Sequence, residues 1–266
     1  MSASRTGRRF RIASIEPDAC GVIDPGDVVH RHLGVVRAVV GDIVFLFDGR
    51  GGEVEAEIAA IDDSATTLRV IGVVQATQES DLDICLVQAI PARSGRMETI
   101  VRQVTELGVR RIVPVMAQRS QRAQGAPATL ERKADRWRRI ADAAAEQSQR
   151  TRVPLIERPC RFDALAWETL PRPLFIAEPG AGAASVGLVQ GADAVVDTAK
   201  LPDATTVMVG PEGGWTAEEV DAATSRGGSL LQLGPRVLRA DTAGVVAITL
   251  FQSAWGDLRD PLRSPG

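Results

Sequence analysis

The stretch VMVGPEGGWT, residues 207–216, runs from a short apolar segment into a glycine-rich turn and then toward a helix. Thr216 and Glu219 have the spacing of a capping box, which predicts that a helix begins at this point. A strand, a tight turn and a helix in succession form the repeating unit of α/β proteins. The stretch therefore predicts an α/β fold, with this turn at the edge of the sheet where such proteins bind ligands.

The glycines of this turn allow two interpretations. Glycine lets backbone N–H and C=O groups approach a ligand closely, but an ordinary strand-to-helix turn also uses glycine for its conformation alone. The stretch matches neither GxGxxG nor GxxxxGK[ST], so the sequence does not favour a dinucleotide site or a P-loop.

A second stretch, LQLGPRVLRADTA at residues 231–243, repeats the pattern of a strand that ends in a polar loop. Two arginines and a carboxylate follow the expected strand end, and a helix is predicted to start at Asp241 or Thr242. In the ordinary interpretation Asp241 caps that helix and the arginines are solvated. In the alternative, this loop and the glycine-rich turn meet at one sheet edge and form a binding site.

The surrounding sequence alternates between strand and helix patterns. Strands are predicted at residues 82–90, 112–116, 173–178, 205–210 and 229–234, and helices at 96–107, 129–148 and 243–254. The last helix is apolar nearly all round, which is typical of a core helix or of a helix at a dimer interface. The alternation predicts a mainly parallel sheet with helices on both faces.

The first 75 residues have a different, β-rich pattern. A hairpin is predicted from an apolar run at 43–47, a glycine-rich turn at 48–52 and an alternating run at 53–58. The three glutamates of the alternating run are expected on its solvent-exposed face. A third strand is predicted at 67–74, and residues 75–81 have the composition of a linker. We therefore predict a small all-β domain at residues 1–75 and an α/β domain at residues 76–266.

Composition excludes several classes of function. The 266 residues carry 31 Lys and Arg against 34 Asp and Glu, so the net charge is -3. The three cysteines form no CxxC pair and the only histidines are His30 and His32, so we expect no metal site and no Ser-His-Asp triad in the last 200 residues. No apolar run approaches the roughly 18 residues of a membrane helix. The pattern predicts a soluble, cytoplasmic protein.

Basic residues are concentrated in the middle of the chain. Residues 84–152 carry 14 basic and 6 acidic side chains, and 13 of the basic ones are arginine, the side chain that suits bidentate phosphate contacts. Such a run is about equally typical of a solvated helix surface and of a nucleic-acid interface. The chain has no Tyr, six Phe and four Trp, and so few stacking surfaces disfavour recognition of RNA in the manner of an RRM.

Both loop stretches, taken together, resemble the RsmE family of ribosomal RNA uridine N3-methyltransferases, members of the SPOUT class. Five further segments match the family and follow the order in which they occur there: residues 30–33, 36–37, 41–42, 105–109 and 145–150. The chain departs from the family at Asp241, where glutamate is more frequent, and at residues 91–96, where the family usually offers lysine.

The resemblance implies a PUA-like N-terminal domain that binds RNA and an α/β methyltransferase domain whose C-terminal part forms a trefoil knot. It further implies S-adenosyl-L-methionine as cofactor, a homodimer, and methylation of N3 of one uridine in the 16S rRNA of the small ribosomal subunit. As the composition already indicates, we expect no metal and no membrane partner.

With this resemblance, roles are expected for particular residues. Cofactor contacts are expected from Glu178, Gly210, Pro211, Glu212, Gly213, Gly214, Leu233, Gly234, Arg236, Leu238, Arg239, Thr242 and Ala243. RNA contacts are expected from Arg8, Arg9, Arg11, His30, Arg31, His32, Arg37, Arg93, Arg96, Arg119 and Arg150. Catalytic roles are expected from Arg239, Glu212, Asp241 and Arg236.

Uridine N3 is protonated at neutral pH, so the reaction has to remove that proton. Arg239 or Arg236 would stabilise charge on the uracil carbonyl oxygens, and Glu212 or Asp241 would accept the proton. In the simpler interpretation Glu212 only holds its own loop and Asp241 only caps a helix. Two rival functions also remain open at this point: a non-catalytic ribosome-binding module, and ribose 2′-O-methylation by another SPOUT enzyme.

Overall fold

The computed structural model describes residues 8–74, 79–93, 95–120, 127–180 and 202–259. The chain divides into two compact units. Among the described residues, the N-terminal unit contains those up to Glu79 and Ala145–Val153, and the C-terminal unit contains Ser80–Ala144 and those from Pro154. The sequence predicted a single boundary after residue 75 and did not predict that residues 145–153 belong to the N-terminal unit. Part of the linker predicted at 75–81 lies outside the described residues.

A five-stranded sheet forms the N-terminal unit. Its elements are β1 (Arg8–Arg11), β2 (Val22–Ile23), α1 (Gly26–Val35), β3 (Ile43–Phe47), β4 (Glu53–Ile61) and β5 (Thr66–Val73). The strand order is β1-β3-β4-β5-β2, with β1 parallel to β3 and the other neighbours antiparallel. The predicted hairpin is confirmed as β3 and β4. Helix α1 was not predicted, because only Val29 and Leu33 of its residues are buried and two positions make too short a stripe.

One glutamate of the hairpin departs from the predicted alternation. Val54, Ala56 and Ile58 are buried as expected, but Glu53 is only 1% exposed. Its Oε1 accepts a hydrogen bond from Nε of Arg9 at 2.7 Å. The prediction that all three glutamates face water is therefore wrong for Glu53, because an ion pair makes the burial of its carboxylate tolerable.

A seven-stranded sheet forms the C-terminal unit. Its strands are β6 (Asp83–Ala89), β7 (Arg111–Met116), β8 (Leu155–Ile156), β9 (Cys160–Arg161), β10 (Leu174–Ala177), β11 (Ala204–Val209) and β12 (Gly228–Leu231). The order is β12-β10-β11-β6-β7-β8, β9 also pairs with β7, and every pair is parallel. The predicted mainly parallel α/β sheet is confirmed. Because the strands are parallel, the turns that follow β6, β10, β11 and β12 lie at one edge.

Helices cover both faces of this sheet. They are α2 (Arg96–Glu106), α3 (Pro127–Gln147), α4 (Ala217–Thr224) and α5 (Ala240–Trp255), with single 3-10 turns at Phe162–Ala164, Trp167–Thr169 and Asp257–Arg259. On one face, Val87 and Met208 belong to a core cluster that also contains Ala223 of α4. On the other face, the ring of Phe175 lies 5.2 Å from that of Phe251 in α5. Burial on both faces explains why these strands are almost continuously apolar.

No helix in the described ranges combines the length and the apolar character that a membrane span requires. In the same ranges, no group of three or more His, Cys, Asp and Glu side chains could hold a metal ion.

Candidate cofactor cavity and basic surfaces

A cavity of about 420 Å³ lies at the carboxyl edge of the C-terminal sheet. Since β10 is hydrogen-bonded to both β11 and β12, the segments that follow these three strands meet around it. The lining residues are Arg119, Ala177, Glu178, Pro179, Val209, Gly210, Pro211, Glu212, Gly213, Gly214, Trp215, Leu233, Gly234, Arg236, Val237, Leu238, Arg239, Ala240 and Ala243. The two loop stretches quoted from the sequence thus form one cavity, of a size that suits a small-molecule ligand. We call it the loop cavity.

Every residue of the expected cofactor set lines the loop cavity except Thr242. Thr242 is exposed in the first turn of α5, where its N–H donates to Arg239 O at 2.9 Å. Trp215 also lines the loop cavity and was not expected from the sequence, although it stands inside the quoted stretch. A large ring next to a run of glycines is the signal that would have found it.

The glycines of the first loop are required by close packing. A Cβ on Gly210 would lie 3.2 Å from Nε1 of Trp215, and one on Gly213 would lie 3.2 Å from Cβ of Arg119. Gly214 has φ of 70°, and its N–H donates to Pro211 O at 2.9 Å to close the turn. The loop therefore uses glycine both for close approach and for a left-handed backbone.

Arg119 holds this loop from the side. Its Nη1 donates to Gly213 O and to Trp215 O, both at 3.0 Å. The predicted capping box between Thr216 and Glu219 is confirmed, and Glu219 also accepts from the N–H of Gln118 at 2.8 Å. Arg119 was selected as an RNA contact, but in the structure its hydrogen bonds fix the shape of the loop cavity.

Glu212 connects the first loop to the start of α2. Its Oε2 accepts from the N–H of Ala92 at 3.1 Å, and its Oε1 accepts from Nη1 of Arg96 at 2.9 Å. Partial burial opposes ionisation, but these hydrogen bonds and the positive charge of Arg96 lower the pKa of Glu212 below its ordinary value. A carboxylate with a lowered pKa and both oxygens engaged is a poor proton acceptor, so the geometry favours an anchoring role.

The second loop carries the arginines expected to act in catalysis. Gly234 has φ of 91°, which favours glycine, and Arg236 and Arg239 are both exposed. Arg239 Nε lies 3.6 Å from Oδ1 of Asp241. Because their side chains reach solvent beside the loop cavity, these arginines are accessible to a substrate that approaches from outside.

Asp241 does not cap helix α5. The helix begins at Ala240, with Arg239 at the N-cap position, and the start predicted at Asp241 or Thr242 is one to two residues late. The carboxylate of Asp241 is therefore in the first turn, where the helix dipole favours negative charge. Its Oδ1 is buried and has no hydrogen bond to any described residue.

Two polar atoms of the cavity lining also lack hydrogen bonds from the described residues, Oε2 of Glu178 and Nε1 of Trp215, and both are buried. Desolvation raises the pKa of Glu178, although Arg119 opposes the shift. Buried polar atoms are normally paired. A ligand that offers one hydrogen-bond donor or positive charge to Glu178 and one acceptor to Trp215 would satisfy both.

Several of the expected RNA contacts lie together on the N-terminal unit. Arg8, Arg31, His32 and Arg37 are exposed. Arg8 Nη2 donates to Val36 O at 3.1 Å, next to Arg37, and the ring of His32 packs edge-on against Phe10 at 5.2 Å. Strand β1 and helix α1 thus present one basic surface, which we call the β1–α1 surface. Arg11 is also exposed, whereas His30 is half-buried with Nδ1 2.9 Å from Oγ1 of Thr66.

Two of the expected RNA contacts are not available at the surface. Arg9 is buried in its ion pair with Glu53, and Nη2 of the buried Arg150 lies 2.9 Å from Oε2 of Glu79. The expectation that they contact phosphates is wrong, because each guanidinium is buried and already paired with a carboxylate.

Comparisons with known proteins find relatives over most of the chain. A family model described as an RNA methyltransferase domain matches residues 78–252, and one described as an RNA methyltransferase PUA domain matches residues 31–71. The ribosomal RNA small subunit methyltransferase E of a Synechocystis species is 32% identical over 227 residues, which cover 83% of this chain and 69% of the relative. The protein of the same name from Bacillus subtilis is 28% identical over 236 residues, 84% of this chain and 86% of the relative.

Solved structures show the same likeness. A ribosomal RNA small subunit methyltransferase E from Neisseria gonorrhoeae, bound to S-adenosyl methionine, superposes with a TM-score of 0.79 at 30% identity. A structure from Legionella pneumophila described as a methyltransferase with bound SAM gives a TM-score of 0.82 at 28% identity. Each match covers 94% of this chain and 99% of the other.

Proposed function

This chain belongs to the RsmE family of ribosomal RNA methyltransferases, in the SPOUT class, and from that premise we propose that it methylates N3 of a uridine in 16S rRNA with S-adenosylmethionine as methyl donor. The loop cavity carries the proposal. It unites the two family loops around space for a small molecule, and it leaves Glu178 Oε2 and Trp215 Nε1 without hydrogen-bond partners among the described residues.

The residues of the loop cavity fit S-adenosylmethionine. Glu178 offers a carboxylate to a positive or hydroxyl group, Trp215 offers an N–H donor, and the glycines allow backbone groups to approach an adenosine. When bound, the cofactor supplies a methyl group from a sulfonium. The chain's contribution is to hold this group and to exclude water through the packed, mainly apolar walls at Val209, Leu233 and Leu238.

Asp241 is the carboxylate that we assign to accept the uridine N3 proton. It has a buried oxygen with no hydrogen bond from the described residues, whereas both oxygens of Glu212 are engaged. Arg239 lies beside Asp241 and is exposed, which supports a role for its guanidinium in stabilising negative charge on a uracil carbonyl oxygen. Arg236 supports the same role from the neighbouring loop position.

RNA is proposed to bind through the β1–α1 surface of the N-terminal unit, with Arg8, Arg31, His32 and Arg37 contacting phosphates. The match of residues 31–71 to an RNA methyltransferase PUA domain supports this role. The reaction is proposed to take place in the cytoplasm, where the small ribosomal subunit is found.

A homodimer is proposed to assemble through helix α5. Val245, Val246 and Leu250 on this helix are only half-buried in the single chain. Half-exposed apolar side chains along one helix favour cover by a second copy. A trefoil knot in the C-terminal unit, which the family resemblance implies, is part of the same proposal.

The decisive experiment incubates the protein and S-adenosylmethionine with small ribosomal subunits that lack the modification, and then identifies the modified nucleoside by mass spectrometry. We expect 3-methyluridine in 16S rRNA. A ribose-methylated nucleoside would replace the proposed reaction with 2′-O-methylation. Failure of the cofactor to raise the melting temperature would favour the non-catalytic ribosome-binding module, because a ligand of the folded state has to stabilise it.

A further inference from the structure

A second cavity in the C-terminal unit, of about 350 Å³, lies between the segment after β6 and helix α3. Its lining residues are Ile90, Pro91, Ala92, Arg93, Gly95, Met97, Glu98, Thr129, Arg132, Lys133, Arg136 and Trp137. Met97 and Trp137 are buried and form an apolar floor, while the charged side chains form the walls. We call this cavity the basic cleft.

Positive charge dominates the basic cleft. Arg93, Arg132, Lys133 and Arg136 face a single carboxylate, that of Glu98. Among the described residues only Arg136 pairs with it, at 3.3 Å between Nε and Oε1. Arg93, Arg132 and Lys133 have no ion-pair partner among the residues that the structure describes. Like charges that converge on a concave surface repel one another and favour an anion between them.

The shape and chemistry of the cleft suit a phosphodiester. Guanidinium groups bind phosphate through paired N–H donors, and the lysine adds a compact point charge. The cleft also opens beside the first turn of α2, where the helix dipole is positive. An apolar floor accommodates the sugar of a nucleotide whose phosphate contacts the walls.

The basic cleft is fixed to the loop cavity through Glu212. Its carboxylate binds Ala92 in the cleft wall and Arg96 at the start of α2, and the same residue lines the loop cavity. Strand β6, which leads into the cleft, pairs directly with β11, which leads into the glycine-rich loop. A strand of RNA with its target base at the loop cavity would therefore have neighbouring phosphates within reach of the cleft.

We propose that the basic cleft binds the RNA backbone next to the target uridine, with Arg93, Arg132 and Lys133 as the phosphate contacts. This inference rests on the proposed function, because it names where the RNA substrate of that reaction is held. It assigns to α3 a role in binding single-stranded RNA that is separate from the β1–α1 surface.

The experiment measures how the affinity for a fluorescent oligouridylate depends on salt, for the wild type and for Arg132→Gln/Lys133→Gln. Loss of two contacts to a single strand is expected to reduce the slope of log K against log salt by about 1.4. That change corresponds to about a 25-fold loss of affinity at 0.1 M salt if wild type and variant have equal affinity at 1 M salt.

Arg102→Gln/Arg139→Gln is the matched control. Both of these arginines are exposed in α2 and α3 and neither lines the cleft, so this variant removes the same charge without removing a proposed contact. We expect its slope to remain that of the wild type. Melting temperatures check that both variants fold.

Calorimetry with S-adenosylmethionine separates this inference from the proposed function. Unchanged cofactor affinity in Arg132→Gln/Lys133→Gln, together with a reduced slope, supports the cleft as an RNA site. Equal slopes in both double variants, or a wild type that binds oligouridylate independently of salt, would overturn it. In either of these cases 3-methyluridine formation and cofactor binding by the wild type would leave the proposed function intact.

Discussion

Oε1 of Glu212 accepts a hydrogen bond of 2.9 Å from Nη1 of Arg96, and this ion pair joins the glycine-rich loop after β11 to the first turn of α2. The two residues are 116 positions apart in the sequence. The pair therefore connects the glycine-rich loop, which lines the loop cavity, to the wall of the basic cleft. Changes at Glu212 are therefore expected to affect both ligands.

Glu212→Gln tests whether this residue anchors or takes the proton. Glutamine keeps the shape and one acceptor, so we expect higher KM values for RNA and cofactor and an unchanged pH profile of kcat. Because the folded pKa of Glu212 is lowered, its stabilising effect is present above its ordinary value of 4.5 and is lost as pH falls through the folded value. Unfolding of wild type and variant across pH 3 to 7 measures this, about the range in which carboxylates titrate. A kcat profile that loses its acidic limb would contradict anchoring.

Asp241→Asn tests the assigned proton acceptor. Loss of a general base is expected to lower kcat by about 10² to 10⁴-fold while cofactor affinity stays near that of the wild type. Asp241→Glu is the conservative control, and we expect it to keep most of the activity because it retains a carboxylate that can accept the proton. Single-turnover methylation assays and calorimetry separate the two effects. Full activity in Asp241→Asn would remove the residue from the mechanism.

Glu178→Gln is expected to weaken cofactor binding and to stabilise the protein without cofactor. Desolvation raises the folded pKa of Glu178, so the charged form is penalised as pH rises above its ordinary value of 4.5. The neutral variant lacks this penalty, and its gain in melting temperature is expected at pH 7 and to shrink as pH falls toward 4.5. Thermal unfolding with and without S-adenosylmethionine measures both effects. A variant that is less stable at neutral pH would show that Glu178 is paired.

Gly234→Ala tests the backbone of the second loop. Its φ of 91° is unfavourable for alanine, and the strain is expected to cost about 1 to 2 kcal/mol of the free energy of unfolding or to distort the loop. Apart from the two flanking residues, no atom in the described part of the chain lies within 4 Å of the added Cβ, so the effect comes from backbone conformation. Gly72→Ala, also in open space but at an ordinary φ, is the matched control. Equal stability and cofactor affinity in both variants would contradict the requirement for glycine.

Neighbouring arginines in β1 are expected to respond in opposite ways. Arg9→Gln removes the guanidinium that pairs with the buried carboxylate of Glu53 and is expected to cost about 3 to 5 kcal/mol of stability. Arg8→Gln removes an exposed charge and is expected to weaken RNA binding with little effect on unfolding. Denaturant titrations and RNA binding on both variants provide the comparison. Equal stability of the two would show that the Arg9–Glu53 pair contributes little.

The sequence predicts those parts of the fold that local patterns encode. Strand–helix alternation gave the parallel sheet, and the glycine spacing identified the loops at 210–214 and 233–239 that the structure brings together. The buried pairs Arg9–Glu53 and Arg150–Glu79 were missed because their members are 44 and 71 residues apart, and an arginine has the same local signature whether it is exposed or neutralised. Helix α1 was missed because its local signal is weak: two buried positions, Val29 and Leu33, do not establish a helical hydrophobic period.

The N-terminal unit cannot be complete until the chain has been synthesised through residue 153. Glu79 accepts hydrogen bonds from the N–H groups of Thr151 and Arg152 as well as from Arg150, and Gly51 donates to Thr151 O at 3.1 Å. A nascent chain of which only the first 79 residues have been synthesised lacks these partners. Glu79 and Gly51 therefore form these hydrogen bonds only after residues 150–152 have been translated. Expression of residues 1–79 alone would yield a β-sheet without these hydrogen-bond partners, and the N-terminal unit is complete only after more than half of the polypeptide has been synthesised.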